Sequence, residues 1–288
     1  MNNYVIFTDS ACDIKPELLK EWGVEFIEMS FRFEGEDKSY YNNQLEIKDF
    51  YNKMRNGGIA KTSAVNPEDF SNAFSEILKQ GNDILYLGFS SGLSTTFNSA
   101  RIAAEELKPL YPERNIIAVD TLCASAGQGL ILYLTVQKKN EGADIESAAA
   151  FAEGIKLNLC HWFTVDDLVY LKRGGRVSPT VAFVGTVLGI KPVLHVDNDG
   201  KLINITKARG RKSALATIVE KYGELASTTE KGSVFISQAD CLEDAELVKS
   251  MIKEKYGADV SIISDIGPVI GAHSGPGTIA LFFVGKER

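Results

Sequence analysis

Gly88-Phe89-Ser90-Ser91-Gly92 has the G-x-S-x-G spacing of a nucleophile elbow, a sharp strand-to-helix turn that exposes a serine hydroxyl for attack on an acyl carbon. Ser90 would be the nucleophile, and Asp120 or Asp166 followed by His273 would complete a Ser, Asp, His chain order. The same turn supports a second reading. It runs on through Leu93-Ser94-Thr95-Thr96 into a helical pattern, and Ser94 at the helix start, with free backbone N–H groups beside it, would cradle a carboxylate or phosphate without cleaving anything. A hydroxyl-rich turn that only caps its helix has the same residues. The loop Lys61-Thr62-Ser63-Ala64-Val65-Asn66-Pro67 offers two more hydroxyls just ahead of a helix whose first turn suits Pro67, though ordinary turns also use these residues. A third loop, Ile266 to Thr278, sets His273 among four glycines and two prolines, a rigid segment that a ligand can approach closely. No sequence feature selects an acid to orient His273. Hydroxyls plus one imidazole suit a held carboxylate as readily as a hydrolytic centre.

Such loops need strands before them and helices after them. In the first half, β-branched or aromatic runs at Tyr4–Thr8, Glu25–Phe31, Ile84–Phe89 and Ile116–Val119 predict strands. Between them, helical patterns lie near Pro16–Trp22, Ile47–Arg55, Pro67–Lys79, Thr95–Leu107 and Ala126–Asn140, followed by a helix from Ile145 to about Leu159. This alternation predicts an α/β fold whose N-terminal domain, residues 1–160, is a mainly parallel α/β/α sheet. The second domain, residues 161–288, opens with a strand at His161–Val165, a polar helix at Asp166–Lys172 and the loop Arg173-Gly174-Gly175-Arg176. An apolar helix at Thr180–Leu188 follows, then two strands joined by Asp197-Asn198-Asp199-Gly200, a strong hairpin signal. A helix from Lys212 and a βαβ-like stretch from Ser233 to Ser264 complete a mixed-sheet α/β domain, with antiparallel pairing that the first domain lacks. A ligand is expected between the two domains.

Composition removes several function classes. The 288 residues carry 31 Lys plus Arg against 38 Asp plus Glu, a net charge of −7, which argues against a general nucleic-acid binder. The N-terminus reads as a first strand and not a signal peptide, so a cytoplasmic protein is expected. The longest apolar stretch, Val181 to Ile190, is too short for a membrane span; it would line an apolar tunnel or form a buried core helix. Four scattered cysteines without a C-x-x-C pair, and three histidines far apart, signal neither disulfides nor a metal site. No cofactor is expected.

Five motifs in order resemble the DegV family along the whole chain: Thr8-Asp9-Ser10-Ala11-Cys12-Asp13, Lys61-Thr62-Ser63, Ser90-Ser91-Gly92-Leu93-Ser94, Phe163 to Leu168 with Tyr170-Leu171-Lys172-Arg173-Gly174-Gly175-Arg176, and Gly267 to Gly277. The resemblance implies two α/β domains with a long-chain fatty acid such as palmitate between them, its tail in an apolar tunnel. It further implies a binding protein that is not itself an enzyme, presenting the bound carboxyl to a separate ATP-using fatty acid kinase that makes acyl phosphate for phospholipid synthesis. By the same similarity Thr62, Ser63, Ser94 and His273 would hold the carboxylate, and Arg173 would stand near its exit. The sequence departs from the family pattern at Ala64-Val65-Asn66-Pro67, where Gln-Pro is frequent after Thr-Ser, and at Thr95, where Gly is common. Lys207, Arg209, Arg211 and Lys212 form a basic cluster that is either a solvated face or a docking surface for an acidic kinase, with Arg209 and Arg211 as its core. Transient contact with a membrane surface is compatible with this role.

Overall fold

The computed structural model describes residues 3–177, 189–227 and 233–288. Strand β1 (Tyr4–Asp9) leads through a short 3-10 turn and helix α1 (Pro16–Glu21) to β2 (Val24–Ile27), its parallel neighbour. After β3 (Ser30–Phe33), β4 (Ser39–Tyr41), α2 (Ile47–Arg55) and β5 (Ala60–Ser63), the chain forms α3 (Pro67–Lys79), β6 (Asp83–Gly88), α4 (Thr96–Leu107) and β7 (Ile116–Asp120). Strands β2-β1-β6-β7 make an all-parallel sheet. Every residue of β6 is buried, as expected of a parallel strand covered on both faces. Helix α3 begins where the Asn66 side chain accepts the Asp69 N–H at 2.9 Å and Pro67 takes the first turn. Its Phe70, Phe74, Ile77 and Leu78 share one face and pack, with Ala100 and Ala103 of α4, on Phe7, Ile84 and Tyr86.

On the other face of this sheet lie α5 (Ala126–Asn140) and α6 (Ile145–Ile155). Helix α5 is buried almost all round from Ala126 to Val136 because a second sheet covers its far side. That sheet contains β8 (Leu159–Thr164), β9 (Ile190–Val196), β10 (Leu202–Arg209), β11 (Val234–Gln238), β12 (Ile262–Asp265) and β13 (Ile279–Val284), in the order β10-β9-β8-β13-β11-β12. Side chains alternate along its strands. Phe163, Ala280 and Phe282 face α5, while Trp162, Leu281 and Phe283 face α8 (Arg211–Leu225) and α9 (Leu242–Tyr256). Among the described residues the remaining α-helices are α7 (Val169–Arg173) and α10 (Pro268–Ser274). Among the described residues no helix is long and apolar enough to cross a membrane.

The run Glu25–Phe31 is two strands in different sheets: the chain turns at Glu28 and Met29, whose N–H donates to the Ser10 hydroxyl at 2.9 Å, and β3 pairs elsewhere. Antiparallel pairing is not confined to the second half. Strands β4-β3-β5 form a three-stranded antiparallel sheet within residues 30–63, and Lys61-Thr62-Ser63 belongs to its strand β5 instead of a loop. The Gly- and Pro-rich segment after Ile266 contains α10, started by Pro268 at its first turn. Strand β13 fills the centre of the mixed sheet at residues where no strand was expected. The predicted helix Thr180–Leu188, and the tunnel-lining stretch from Val181 up to Leu188, lie outside the described residues. The Asp-Gly hairpin is present, with β9 antiparallel to β10 and the Asp197 carboxylate accepting the N–H groups of Asp199 and Lys201.

Candidate functional site

Strand order reverses between β1 and β6, and in a parallel sheet the crevice beyond the strand ends at such a switch point is where ligands bind. Asp9 closes β1 there: its buried carboxylate accepts the Tyr86 hydroxyl at 2.7 Å and the Phe89 N–H at 3.0 Å, fixing the turn that follows β6. A cavity of about 380 Å³ opens beside this turn. Its walls come from the turn itself (Phe89, Ser91, Leu93, Ser94, Thr95), from β5 (Thr62), from the inner face of the mixed sheet (His161, Phe163, Ala280, Phe282) and from α10 (Val269, Ile270, His273, Ser274).

Polar groups gather at one side. Thr62 Oγ1 lies 2.8 Å from His273 Nε2. The opposite edge of the ring, Nδ1, abuts Gly174, where an added Cβ would come within 2.1 Å. Arg176 ties the Gly174–Gly175 turn to the Ser90 turn, since its Nε donates to the Leu93 carbonyl at 3.1 Å and its guanidinium also reaches the Gly174 carbonyl. Ser94 follows directly, its Oγ accepting the Thr96 N–H at 3.2 Å and bonding Thr96 Oγ1 at 2.9 Å. Burial, aided by the Arg176 charge, pushes the His273 imidazole down to about 4, so it is neutral at pH 7. Its Nδ1 and the neighbouring Ser274 Oγ are buried without a hydrogen-bond partner among the described residues. The rest of the lining is mostly apolar, with Leu171, Val196 and Leu202 added to the residues above.

Thr62, Ser94 and His273 therefore meet at this cavity. Ser63 does not join them: alternation along β5 turns it to the exposed face. Arg173 is exposed at the end of α7, its guanidinium 5.8 Å from the Tyr170 ring centroid and outside the cavity wall. Arg209 is exposed on β10, whereas Arg211 is half-buried and ion-paired with Asp244 at 2.8 Å and Asp166 at 3.6 Å. Ser90 is fully buried and donates to the Gly200 carbonyl at 2.8 Å. The tip of the β9–β10 hairpin docks on this turn so closely that a Cβ on Gly92 would meet the Asp199 carbonyl oxygen at 2.5 Å. The G-x-S-x-G spacing thus serves a docking contact. Asp120 accepts the N–H groups of Ser91 and Leu122, and Asp166 pairs with Lys191 at 2.7 Å, so neither acid is hydrogen-bonded to His273. Arg176 and Ser274 are among the polar cavity residues not assigned to the site from the motifs, as are Ser125 and His161. Arg176 lies three residues after Arg173 in its motif, and Ser274 directly follows His273.

Residues 3–286 match the model of the family described as an uncharacterised protein, DegV family. The chain belongs to the DegV family. It is 44% identical over 291 residues to the DegV domain-containing protein CPE0026 of Clostridium perfringens, covering 100% of this chain and 99% of that one. Among solved structures, this DegV chain resembles a DegV lipid-binding protein of Thermotoga maritima (TM-score 0.84, 30% identity, 99% of each chain). It likewise resembles a DegV-family protein of Thermus thermophilus described for fatty acid binding (TM-score 0.87, 28% identity, 97% of this chain and 98% of that one). DegV of Bacillus subtilis, a fatty acid binding protein, matches with a TM-score of 0.83 and 26% identity over 98% and 99% of the two chains. Both departures from the family pattern, at Ala64 and Thr95, line the cavity of this DegV protein.

Proposed function

We propose that this protein binds a long-chain fatty acid in the cavity, with the carboxylate held by Thr62, Ser94, His273 and Arg176, and the acyl tail along the mixed sheet. The observation that carries this reading is the division of one cavity into a hydroxyl, imidazole and guanidinium corner and an otherwise mainly apolar wall. Each buried methylene contributes about 0.8 kcal/mol, so the tail supplies most of the affinity and the polar corner fixes the orientation. Fatty acid binding by DegV proteins of the same fold supports it.

We further propose that the protein is a cytoplasmic carrier, with residues 1–160 and 161–288 as its two domains, that presents the carboxyl to a separate ATP-using kinase. A carboxylate oxygen would attack the γ-phosphate of ATP, giving acyl phosphate and ADP, for use in phospholipid synthesis. In this reading Arg173, exposed on α7, would meet the transferring phosphoryl group, and Arg209, exposed on β10, an acidic kinase surface. Mass spectrometry of the solvent-extracted protein should find a long-chain acyl species, or the emptied protein should take one up. Finding neither the acyl species nor uptake would overturn the carrier reading. Charge reversal at Arg209 should slow phosphoryl transfer while leaving fatty acid binding intact; an unchanged rate removes Arg209 from the docking surface.

A further inference from the structure

His273 occupies the last turn of α10, a helix of seven residues, too short to persist on its own in water. Its N-cap is Gly267, which has no side chain to satisfy the free N–H groups at the helix start. Two side chains from much earlier in the chain do so. Asp13 Oδ1 accepts the Gly267 N–H at 2.9 Å, and Asn42 Oδ1 accepts the Val269 N–H at 2.9 Å. Both are held in place in turn: Asp13 receives the Ser125 hydroxyl, and Asn42 Nδ2 donates to the Ser10 carbonyl at 3.2 Å. Asp13 is 6% exposed and Asn42 5%. The contact has no slack, since a Cβ on Gly267 would stand 2.5 Å from Asn42 Nδ2 and 3.0 Å from Asp13 Oδ1. Tyr51 closes the third side, its hydroxyl donating to the Ile266 carbonyl at 2.7 Å.

We propose that Asp13 and Asn42 are positioning residues for His273, an external helix cap that sets the tilt of α10 and thereby holds the imidazole in the slot between Thr62 and Gly174. Neither side chain lines the cavity, so they act on a ligand only through the helix. The chain has three histidines, which makes the His273 imidazole easy to follow by nitrogen-15 NMR once His273→Gln has assigned its signal. Asp13→Ala and Asn42→Ala should each shift and broaden that signal. Each should also weaken palmitate binding roughly tenfold, the size expected for a lost cap. Asp13→Asn keeps an oxygen for the Gly267 N–H and should restore both readouts. An unmoved His273 signal in folded Asp13→Ala or Asn42→Ala overturns the proposal, as does folded Asp13→Asn behaving like the alanine variant. If Asp13→Ala does not fold, Asn42→Ala and Asp13→Asn decide. The affinity arm rests on the fatty acid reading. Should the wild type take up no palmitate, that reading fails by itself and the imidazole signal still judges the cap.

Discussion

Gly174→Ala tests the polar corner with one methyl group. Gly174 has φ −71° and ψ −10°, a conformation alanine adopts freely, so the change introduces no backbone strain. The new Cβ would lie 2.1 Å from His273 Nδ1, and ordinary contact begins near 3.4 Å, so the ring must retreat by about 1.3 Å. It has nowhere to slide, because Thr62 Oγ1 stands 2.8 Å from Nε2 on the ring's other edge. The imidazole must therefore swing to another rotamer and leave Thr62. A hydrogen bond to a charged carboxylate is worth about 1.5–3 kcal/mol, which predicts a loss of roughly 10- to 100-fold in fatty acid affinity. Displacement of a fluorescent fatty acid measures that, and urea denaturation run alongside should show a stability loss of about 1–3 kcal/mol from overpacking. Gly175→Ala is the matched control. Gly175 has φ +69° with open space around it, so alanine there should cost about 1–2 kcal/mol of stability and leave affinity unchanged. Wild-type affinity in folded Gly174→Ala would refute the assignment of His273 to the head group.

Thr62→Val removes the hydroxyl while keeping the shape, and should weaken binding about tenfold with little change in unfolding midpoint; equal affinities by titration calorimetry would remove Thr62 from the corner. Acid should destabilise the protein between about pH 6.5 and 4, because the unfolded chain takes up protons that His273 and His195, both pushed down to about 4 chiefly by burial, refuse when folded. Asp13, pushed up to about 8 by burial, acts in the opposite sense as pH rises through the range above its ordinary value. His273→Gln should thus flatten the acid limb of stability against pH measured by urea denaturation, and an unchanged limb contradicts a neutral buried imidazole. Ser90→Ala deletes the bond to Gly200 and should cost about 1 kcal/mol without affecting fatty acid binding. Hydrolysis of a short chromogenic ester by the wild type that disappears in this variant would instead restore Ser90 as a nucleophile.

Strand, helix and hairpin signals were legible wherever one element had one environment, as in α3 with its Asn-Pro start or the turn at Asp197 to Gly200. The run Glu25–Phe31 misled because a continuous apolar pattern does not mark where a chain leaves one sheet for another. In sequence Thr62 and Ser63 are equivalent hydroxyls, and only the strand pairing with Phe31 and Ser30 shows that they face opposite ways. His273 was legible from its Gly and Pro surroundings. Its neighbours were not, because the Gly174 contact and the caps from Asp13 and Asn42 join residues between 99 and 254 positions apart, in ways no local pattern encodes.

The central place of β13 has a consequence for synthesis. Strands β8 and β11 are each paired to it, so the mixed sheet cannot close until residues 279–284 have emerged and inserted between strands made earlier. Ala280 and Phe282 of that strand also form part of the cavity wall. Non-local pairing of this kind is slow and leaves partners exposed meanwhile. A nascent chain therefore has no finished cavity to fill, and a ligand present during translation can stabilise only molecules in which β13 is already in place.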